Sequence, residues 1–318
     1  MFDIKMVKSI LVTGGAGFIG SNFLNEFVPK YPEINFVNLD KLTYAGNLEN
    51  IHISNNSNYK FIKGDICGED LLEEIFSQEK IEAVIHFAAE SHVDLSIKNP
   101  SLFVEVNVLG TQRLLEASKK FAVKRFHHVS TDEVYGSLGD TGYFTEETTL
   151  APNSPYSASK AGSDFLVRAY NETFGLDTST SRCSNNYGPN QDLSKLIPLF
   201  ITKLKNNQKV PLYKDGKNIR DWLFVKDHVE AIWEIFTRAG SGSVYNIGGN
   251  NEKTNIEITK LLLKFFDKDE SFIEYVTDRP GHDLRYAIDA NKIKNDLNWE
   301  PKYTFEKGIK ETIEFYVH

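Results

Sequence analysis

Two short stretches of this 318-residue chain carry side chains at spacings that chemistry can use. In Tyr-Ser-Ala-Ser-Lys, Tyr156 and Lys160 stand four apart, so a helix through them puts both on one face. An ammonium beside a phenol favours the phenolate and lowers a pKa that is ordinarily about 10. Tyr156 is therefore expected to act as general base on an alcohol about to lose hydride. The second stretch is Ser130-Thr131-Asp132-Glu133-Val134-Tyr135-Gly136, directly after the apolar run 126–129. Two adjacent carboxylates beside a hydroxyl exceed what hydride transfer needs. They suit a reaction that also moves protons on and off carbon and oxygen. Each stretch also has a plainer reading: helices hold such Tyr–Lys pairs by chance, and Ser-Thr-Asp caps turns.

A hydride acceptor is indicated near the N-terminus. The run 8–13 ends in Gly14-Gly15-Ala16-Gly17-Phe18-Ile19-Gly20 and passes into helix-like spacing at Phe23, Leu24 and Phe27. Glycines 14, 17 and 20 at a strand-to-helix turn let the backbone approach a pyrophosphate, and the helix N-terminus offers N–H donors. Asp40 closes the next apolar run twenty residues after Gly20, where a carboxylate accepts from both ribose hydroxyls and repels a 2′-phosphate. NAD is thus expected over NADP. Asp65 follows the third run as an adenine-side contact, and Ala88-Ala89-Glu90-Ser91 follows the fourth beside the nicotinamide half; either is equally readable as a strand-end turn.

The elements that must hold these groups are apolar runs at 8–13, 34–39, 60–62, 83–87 and 126–129 with amphipathic helical segments between several of them. Strands alternating with helices imply an α/β fold with a doubly wound parallel sheet, whose strand C-termini form the binding edge. Residues 184–220 carry Pro189, Pro198 and Pro211 with one helix near 199–205 and read as a smaller mixed α/β lobe. Run 244–247 returns to the main sheet, and the chain from Asn255 onward is mostly helical in pattern. The expected division is a cofactor domain of 1–183 with about 221–249 and a substrate lobe of 184–220 with about 250–318.

Bulk properties narrow the partners. A formal charge of -8 disfavours nucleic acid and anionic membrane surfaces, so an anionic ligand needs locally placed Arg, Lys or helix N-termini. Cys67 and Cys183 are far apart with no Cys/His cluster, so neither a disulfide scaffold nor a metal site is expected, and a reducing cytoplasm fits. No apolar run approaches the roughly 18 residues of a membrane span, and no signal peptide is recognised.

Longer motifs carry a family resemblance. GGAGFIG at 14–20, NLDKLTYAGNLENI at 38–51, AAESHVD at 88–94, STDEVYG, YSASKAGSD, RCSNNYGPNQ at 182–191, KLIPL, DGKNIRDWLFVKDH, YNIGGNNE and DRPGHDLRYAID at 278–289 resemble the dTDP-glucose 4,6-dehydratases of deoxysugar biosynthesis over essentially the whole chain. The resemblance implies oxidation at C4 with Tyr156 as base, helped by Lys160 and Thr131. Glu133 then removes the C5 proton, Asp132 protonates the departing 6-hydroxyl, and hydride returns to C6. It implies cofactor contacts at Phe18, Ile19, Asp40, Lys41, Leu42, Thr43, Asp65, Ile66, Ala88, Ala89, Tyr156, Lys160 and Asn186. Sugar-nucleotide contacts are implied at Ser91, Thr131, Asn185, Lys195, Leu196, Pro211, Tyr213, Arg220, Asn255, Arg279 and His282. Arginines 220 and 279 suit a diphosphate, because guanidinium donors pair with its oxygens.

A homodimer is implied through the helix beginning near Tyr156 and one over 104–119. Leu95, Val106, the linker 190–194 and Lys214 depart from the family pattern, which leaves the base and the C2 substituent open. Related enzymes act on UDP-glucose, UDP-N-acetylglucosamine, CDP-glucose or GDP-mannose. A 4-epimerase would keep Tyr156 and Lys160 without needing Asp132 and Glu133, and a silent NAD-binding regulator would not need all of the reactive groups.

Overall fold

Side-chain alternation along buried strands decides the architecture. In the run Ser9–Thr13, Ile10 and Val12 pack into one apolar cluster and Leu11 into a second, so the strand is covered on both faces. The first cluster holds Phe23, Leu24 and Phe27 of the Phe18–Phe27 helix and Ile232 and Phe236 of the Val225–Arg238 helix. The second holds Leu72 and Phe76 of the Glu69–Gln78 helix, Leu114 and Leu115 of Thr111–Lys120, and Val167 of Pro155–Phe174. Helices therefore lie on both sides of one sheet.

The computed structural model describes residues 2–278 and 283–317. In chain order its strands are β1 (Ser9–Thr13), β2 (Asn35–Asp40), β3 (Tyr59–Lys63), β4 (Ala83–His86), β5 (Arg125–Thr131), β6 (Thr178–Cys183), β7 (Asn185–Tyr187), β8 (Val210–Tyr213), β9 (Ile219–Phe224), β10 (Ser243–Ile247), β11 (Glu252–Thr254) and β12 (Ile273–Val276). The main sheet is seven-stranded and parallel, in the order β10-β6-β5-β4-β1-β2-β3. Val12 of β1 stands opposite Asn38 of β2 and Ile85 of β4. Chain order reverses between β1 and β4, and a doubly wound sheet binds ligands at such a switch point. The expected return of 244–247 to the main sheet is met by β10 pairing with β6.

A third apolar cluster, holding Ile197, Phe200, Trp222, Leu262 and Ile309, lies under the helices Leu196–Lys205, Asn255–Phe265 and Phe305–Val317. Two small sheets, β11-β9-β7 and β12-β8, accompany it.

Two elements differ from expectation. Strand β6 (TSTSRC) lacks an apolar run and shows no strand signal, yet every residue of it is buried. Its hydroxyls answer a polar neighbour: His127 of β5 meets Ser179 Oγ at 2.9 Å and Ser181 Oγ at 3.1 Å. The helix expected over 104–119 is a π-helical segment, Val104–Gly110, followed by the α-helix Thr111–Lys120. Asn107 within the widened turn binds the Glu90 amide at 2.8 Å, the Glu90 carbonyl at 3.0 Å and Ser159 Oγ at 2.9 Å. Such π segments often mark functional sites, and this one ties the loop after β4 to the Tyr156 helix.

Histidines 86, 127, 128 and 228 are fully buried, and burial lowers the pKa of each, of His128 to about 4 and of His228 to about 3. An unfolded chain takes up protons below pH ~6.5 that these imidazoles refuse, so stability falls as the pH drops. Asp132, whose carboxyl burial raises, acts in the opposite sense and offsets part of the loss. Unfolding free energies from urea titration are expected to decline from pH 7.5 to 5.5, by up to roughly 1.4 kcal/mol per pH unit for each uncompensated histidine. A flat profile would mean that the folded protein accepts the protons.

Candidate active site

One cleft opens at the C-terminal edge of β1, β2, β4, β5 and β6, and the expected reactive groups converge on it. Thr131, Asp132, Glu133, Tyr156 and Lys160 all line it, as do Gly14, Gly17, Phe18, Ile19, Gly20, Asp40, Lys41, Thr43, Asp65, Ile66, Ala88, Ala89 and Asn186. Its phosphate end follows from glycine geometry. Gly14 has φ +72, and a Cβ there would stand 2.6 Å from the Ala88 amide nitrogen. Gly17 is the N-cap of Phe18–Phe27, and no side chain caps that helix and no acid lies in its first turn. The first-turn N–H groups thus remain available to an anion.

Asp40 ends β2, its Oδ2 accepting from Ala16 N at 2.9 Å and its Oδ1 from Leu42 N at 2.8 Å. Leu42 itself is in the left-handed region at φ 56 and is not among the lining residues. Held from both sides, the carboxylate keeps lone pairs for a ribose diol. Lys41 Nζ pairs with Asp65 Oδ2 at 2.7 Å, an ion pair between the segments that follow β2 and β3. An uncapped helix start and a terminal carboxylate on β2 are the donor and acceptor that a dinucleotide requires, so the residues present fit NAD.

The Pro155–Phe174 helix begins where local chemistry dictates. Ser154 caps it with a reciprocal box to Ser157, and Pro155 occupies the first turn. Gly175, at φ 68, closes it. Tyr156 and Lys160 therefore share a buried face, and Lys160 Nζ donates to the Val129 carbonyl at 2.8 Å. Burial brings the Lys160 pKa down to about 8.

The expected lowering of the Tyr156 phenol is not found in the protein alone. Burial pushes it well up, the Glu133 carboxylate adds to this, and the Thr131 hydroxyl acts the other way. The reason is desolvation: helical spacing places an ammonium on the same face but says nothing of the apolar enclosure that penalises a phenolate.

Thr131 also caps the short Asp132–Tyr135 turn, its Oγ1 accepting from Glu133 N at 3.3 Å. This is one of the plainer roles the motif allowed, and it coexists with a place in the cleft. Asp132 is 2% exposed, and burial followed by the charge of Glu133 raises its carboxyl well above the ordinary range. A carboxyl raised in this way holds its proton more readily and suits a proton donor, whereas Glu133 beside it is only partly buried.

The expected sugar-nucleotide residues divide. Ser91, Asn185 and Lys195 line the cleft, and Lys195 Nζ donates to the Ser91 carbonyl at 3.1 Å. Leu196 opens the helix that Lys195 caps. Pro211 and Tyr213 on β8 and Arg220 on β9 belong to the two small sheets and Asn255 opens its helix, all outside the lining. Arg220 is 5% exposed, stacks 4.4 Å from the Tyr286 ring and donates from Nη2 to the Asp283 carbonyl at 2.9 Å. Its charge opposes the rise of the Asp132 pKa, which places it near the Asp132–Tyr135 turn. Arg279 and His282 lie outside the described residues.

Sequence reasoning assigned no individual role to several other lining residues, although it passed through Glu90 and Ser130. Glu90 is 7% exposed, with Oε2 unpartnered and its carboxyl raised by burial. Ser130, Cys183, Ser184, Gln191 and Asp192 also line the cleft. Glu90 stands inside the AAESHVD motif and Cys183, Ser184 and Gln191 inside RCSNNYGPNQ, so a signal was present, although Cys183 also ends the unexpected strand β6. Lys214, where glycine is usual, adopts φ 46 and pairs with Asp278 at 3.3 Å, so the turn keeps the left-handed conformation that favours glycine.

Residues 11–312 match the family model described as GDP-mannose 4,6 dehydratase. The chain is 52% identical to a dTDP-glucose 4,6-dehydratase of Xanthomonas campestris pv. campestris, covering 96% of this chain and 92% of that protein. It is 48% identical to one of Escherichia coli, covering 97% and 93%. A solved Streptomyces venezuelae dTDP-glucose 4,6-dehydratase with NAD and TYD bound superposes with a TM-score of 0.94 at 47% identity, covering 97% of this chain and 96% of that one.

Proposed function

The chain belongs to the GDP-mannose 4,6 dehydratase family, and on that premise we propose that it converts dTDP-glucose to dTDP-4-keto-6-deoxyglucose with bound NAD. The observation that carries this reading is the buried Asp132 beside Glu133 in the same cleft as Tyr156 and Lys160. NAD, when bound, would supply the acceptor for the C4 hydride and the donor for its return to C6, and its positive charge would favour the Tyr156 phenolate against burial. Tyr156 takes the 4-hydroxyl proton, with Thr131 beside it and Lys160 supplying positive charge. Glu133 removes the C5 proton that the neighbouring ketone acidifies. Asp132 delivers its proton to the departing 6-hydroxyl, which leaves as water, and as hydride reaches C6 the proton held by Glu133 returns to C5. No net oxidation results, so the activity is that of a hydro-lyase.

The cofactor residues proposed are those of the glycine turn, Asp40, Lys41, Leu42, Thr43, Asp65, Ile66, Ala88, Ala89 and Asn186, with Tyr156 and Lys160 shared. Ser91, Asn185, Lys195 and Arg220 are proposed to meet the sugar nucleotide, together with Leu196, Pro211, Tyr213, Asn255, Arg279 and His282. The proposed division of the chain is a cofactor domain of 1–183 with about 221–249 and a substrate lobe made of the rest.

A homodimer is part of the proposal. Val104, Leu109 and Phe165, 55%, 40% and 60% exposed, present apolar surface on the two helices named for it. A cytoplasmic site is proposed as well; no described helix is long and apolar enough to cross a membrane.

Incubating the purified protein, without added reductant, with dTDP-glucose, UDP-glucose or UDP-N-acetylglucosamine and weighing each product tests the reading. Loss of water from dTDP-glucose is expected. Loss from a UDP sugar alone keeps the chemistry and overturns the substrate. An unchanged mass with inverted C4 would mean a 4-epimerase, the activity of a solved Thermotoga maritima UDP-glucose 4-epimerase that shares the fold at 32% identity.

A further inference from the structure

The helix that carries Tyr156 and Lys160 continues one turn further to Asp164, four residues on, and all three are buried on one face. A carboxylate at that depth needs partners. Oδ2 accepts from Arg182 Nε at 2.9 Å, and His128 Nε2 stands 3.3 Å from Oδ1, an ion-pair distance without the alignment of a hydrogen bond. Arg182 reaches on to the catalytic turn, Nη1 donating at 2.9 Å to the Tyr135 hydroxyl, which donates to Asn246 Oδ1 at 2.8 Å. Neither Asp164 nor Arg182 lines the cleft.

From this arrangement, and resting on the reading above, we propose that Asp164 is a positioning residue: seated by Arg182 and His128, its carboxylate keeps Lys160 charged and ties the Tyr156 helix to the Asp132–Tyr135 turn. Lys160 faces His86 from β4, His128 from β5, Cys183 from β6 and Asp164 from its own helix. Burial lowers both imidazoles, so they are neutral near pH 7, and it raises the Cys183 thiol, which is neutral too. Asp164 is ionised throughout, its pKa down to about 2. Of the groups named, it alone offers Lys160 a negative charge. Without it, desolvation would strip the proton from Lys160 at lower pH, and the stranded guanidinium of Arg182 would add to the loss.

The test is direct titration of Lys160 by NMR in protein carrying ¹⁵N-lysine, its signal assigned by its loss in Lys160→Met. In Asp164→Asn the midpoint is expected to fall by about one to three pH units, and Asp164→Glu should restore it. The alkaline limb of C4 oxidation should move down with it. Should Asp164→Asn fail to fold by circular dichroism, the charge-balanced Asp164→Asn/Arg182→Met protein carries the same titration, with a smaller fall expected. An unmoved midpoint in the folded variant overturns the proposal, because a purely packing role would cost stability and rate without shifting it. A midpoint that moves while the wild type leaves dTDP-glucose unchanged upholds the coupling and removes the substrate reading instead.

Discussion

Tyr156→Phe, mixed with NAD and dTDP-glucose in a single turnover, will show no near-ultraviolet absorbance of reduced nicotinamide and will lose product by about 10²–10⁴-fold. The substitution removes one oxygen and keeps the ring, which packs edge-on against Phe103 at 6.3 Å between centroids, so the fold should persist. What disappears is the one phenol that the helix carries into the cleft beside Thr131 and Lys160. The pH profile of the wild type should also be revealing. The phenol is raised by burial and by Glu133, so the base form must be drawn out by positive charge, and Lys160, lowered to about 8, supplies it only while protonated. Oxidation should therefore decline as the pH rises through that value. A rate still climbing well above it would remove Lys160 from the role assigned here.

Glu133→Gln should behave in the opposite way at the same wavelength. The amide preserves size, and the turn is held by the Thr131 hydroxyl accepting from the backbone N–H of residue 133, a bond the side chain does not make. Oxidation at C4 should proceed, and reduced nicotinamide should accumulate because no base removes the C5 proton. Water loss is expected to fall by about 10²–10⁴-fold, and C5 should no longer exchange with deuterium from solvent. The neutral side chain also relieves two neighbours, since the Glu133 charge raises both Tyr156 and Asp132. If the Glu133→Gln mixture shows no absorbance while Tyr156→Phe still forms it, the two roles are wrongly assigned.

Much of the cofactor side was readable in the chain because it depends on local backbone. A glycine turn, the acid that ends β2 and the four-residue spacing of Tyr156 and Lys160 are set by dihedrals and helical pitch, which a short segment carries with it. The strand β6 was not readable, since its hydroxyls become buried only against the imidazole of His127, 52 residues away in sequence. Arginine 220 was assigned by motif alone, whereas its place is decided by Tyr286 and Asp283, more than sixty residues further along.

By itself, the sequence determined the α/β class, the cofactor turn and which side chains could exchange protons, because these follow from residue type and short-range geometry. Only the tertiary structure decided their protonation. It raises Tyr156 rather than lowering it, raises Asp132 as well, and joins Asp164 to the Asp132–Tyr135 turn through Arg182. The physical reason is that a pKa answers to desolvation and to charges within a few ångströms, and those neighbours arrive from distant segments only when the chain folds.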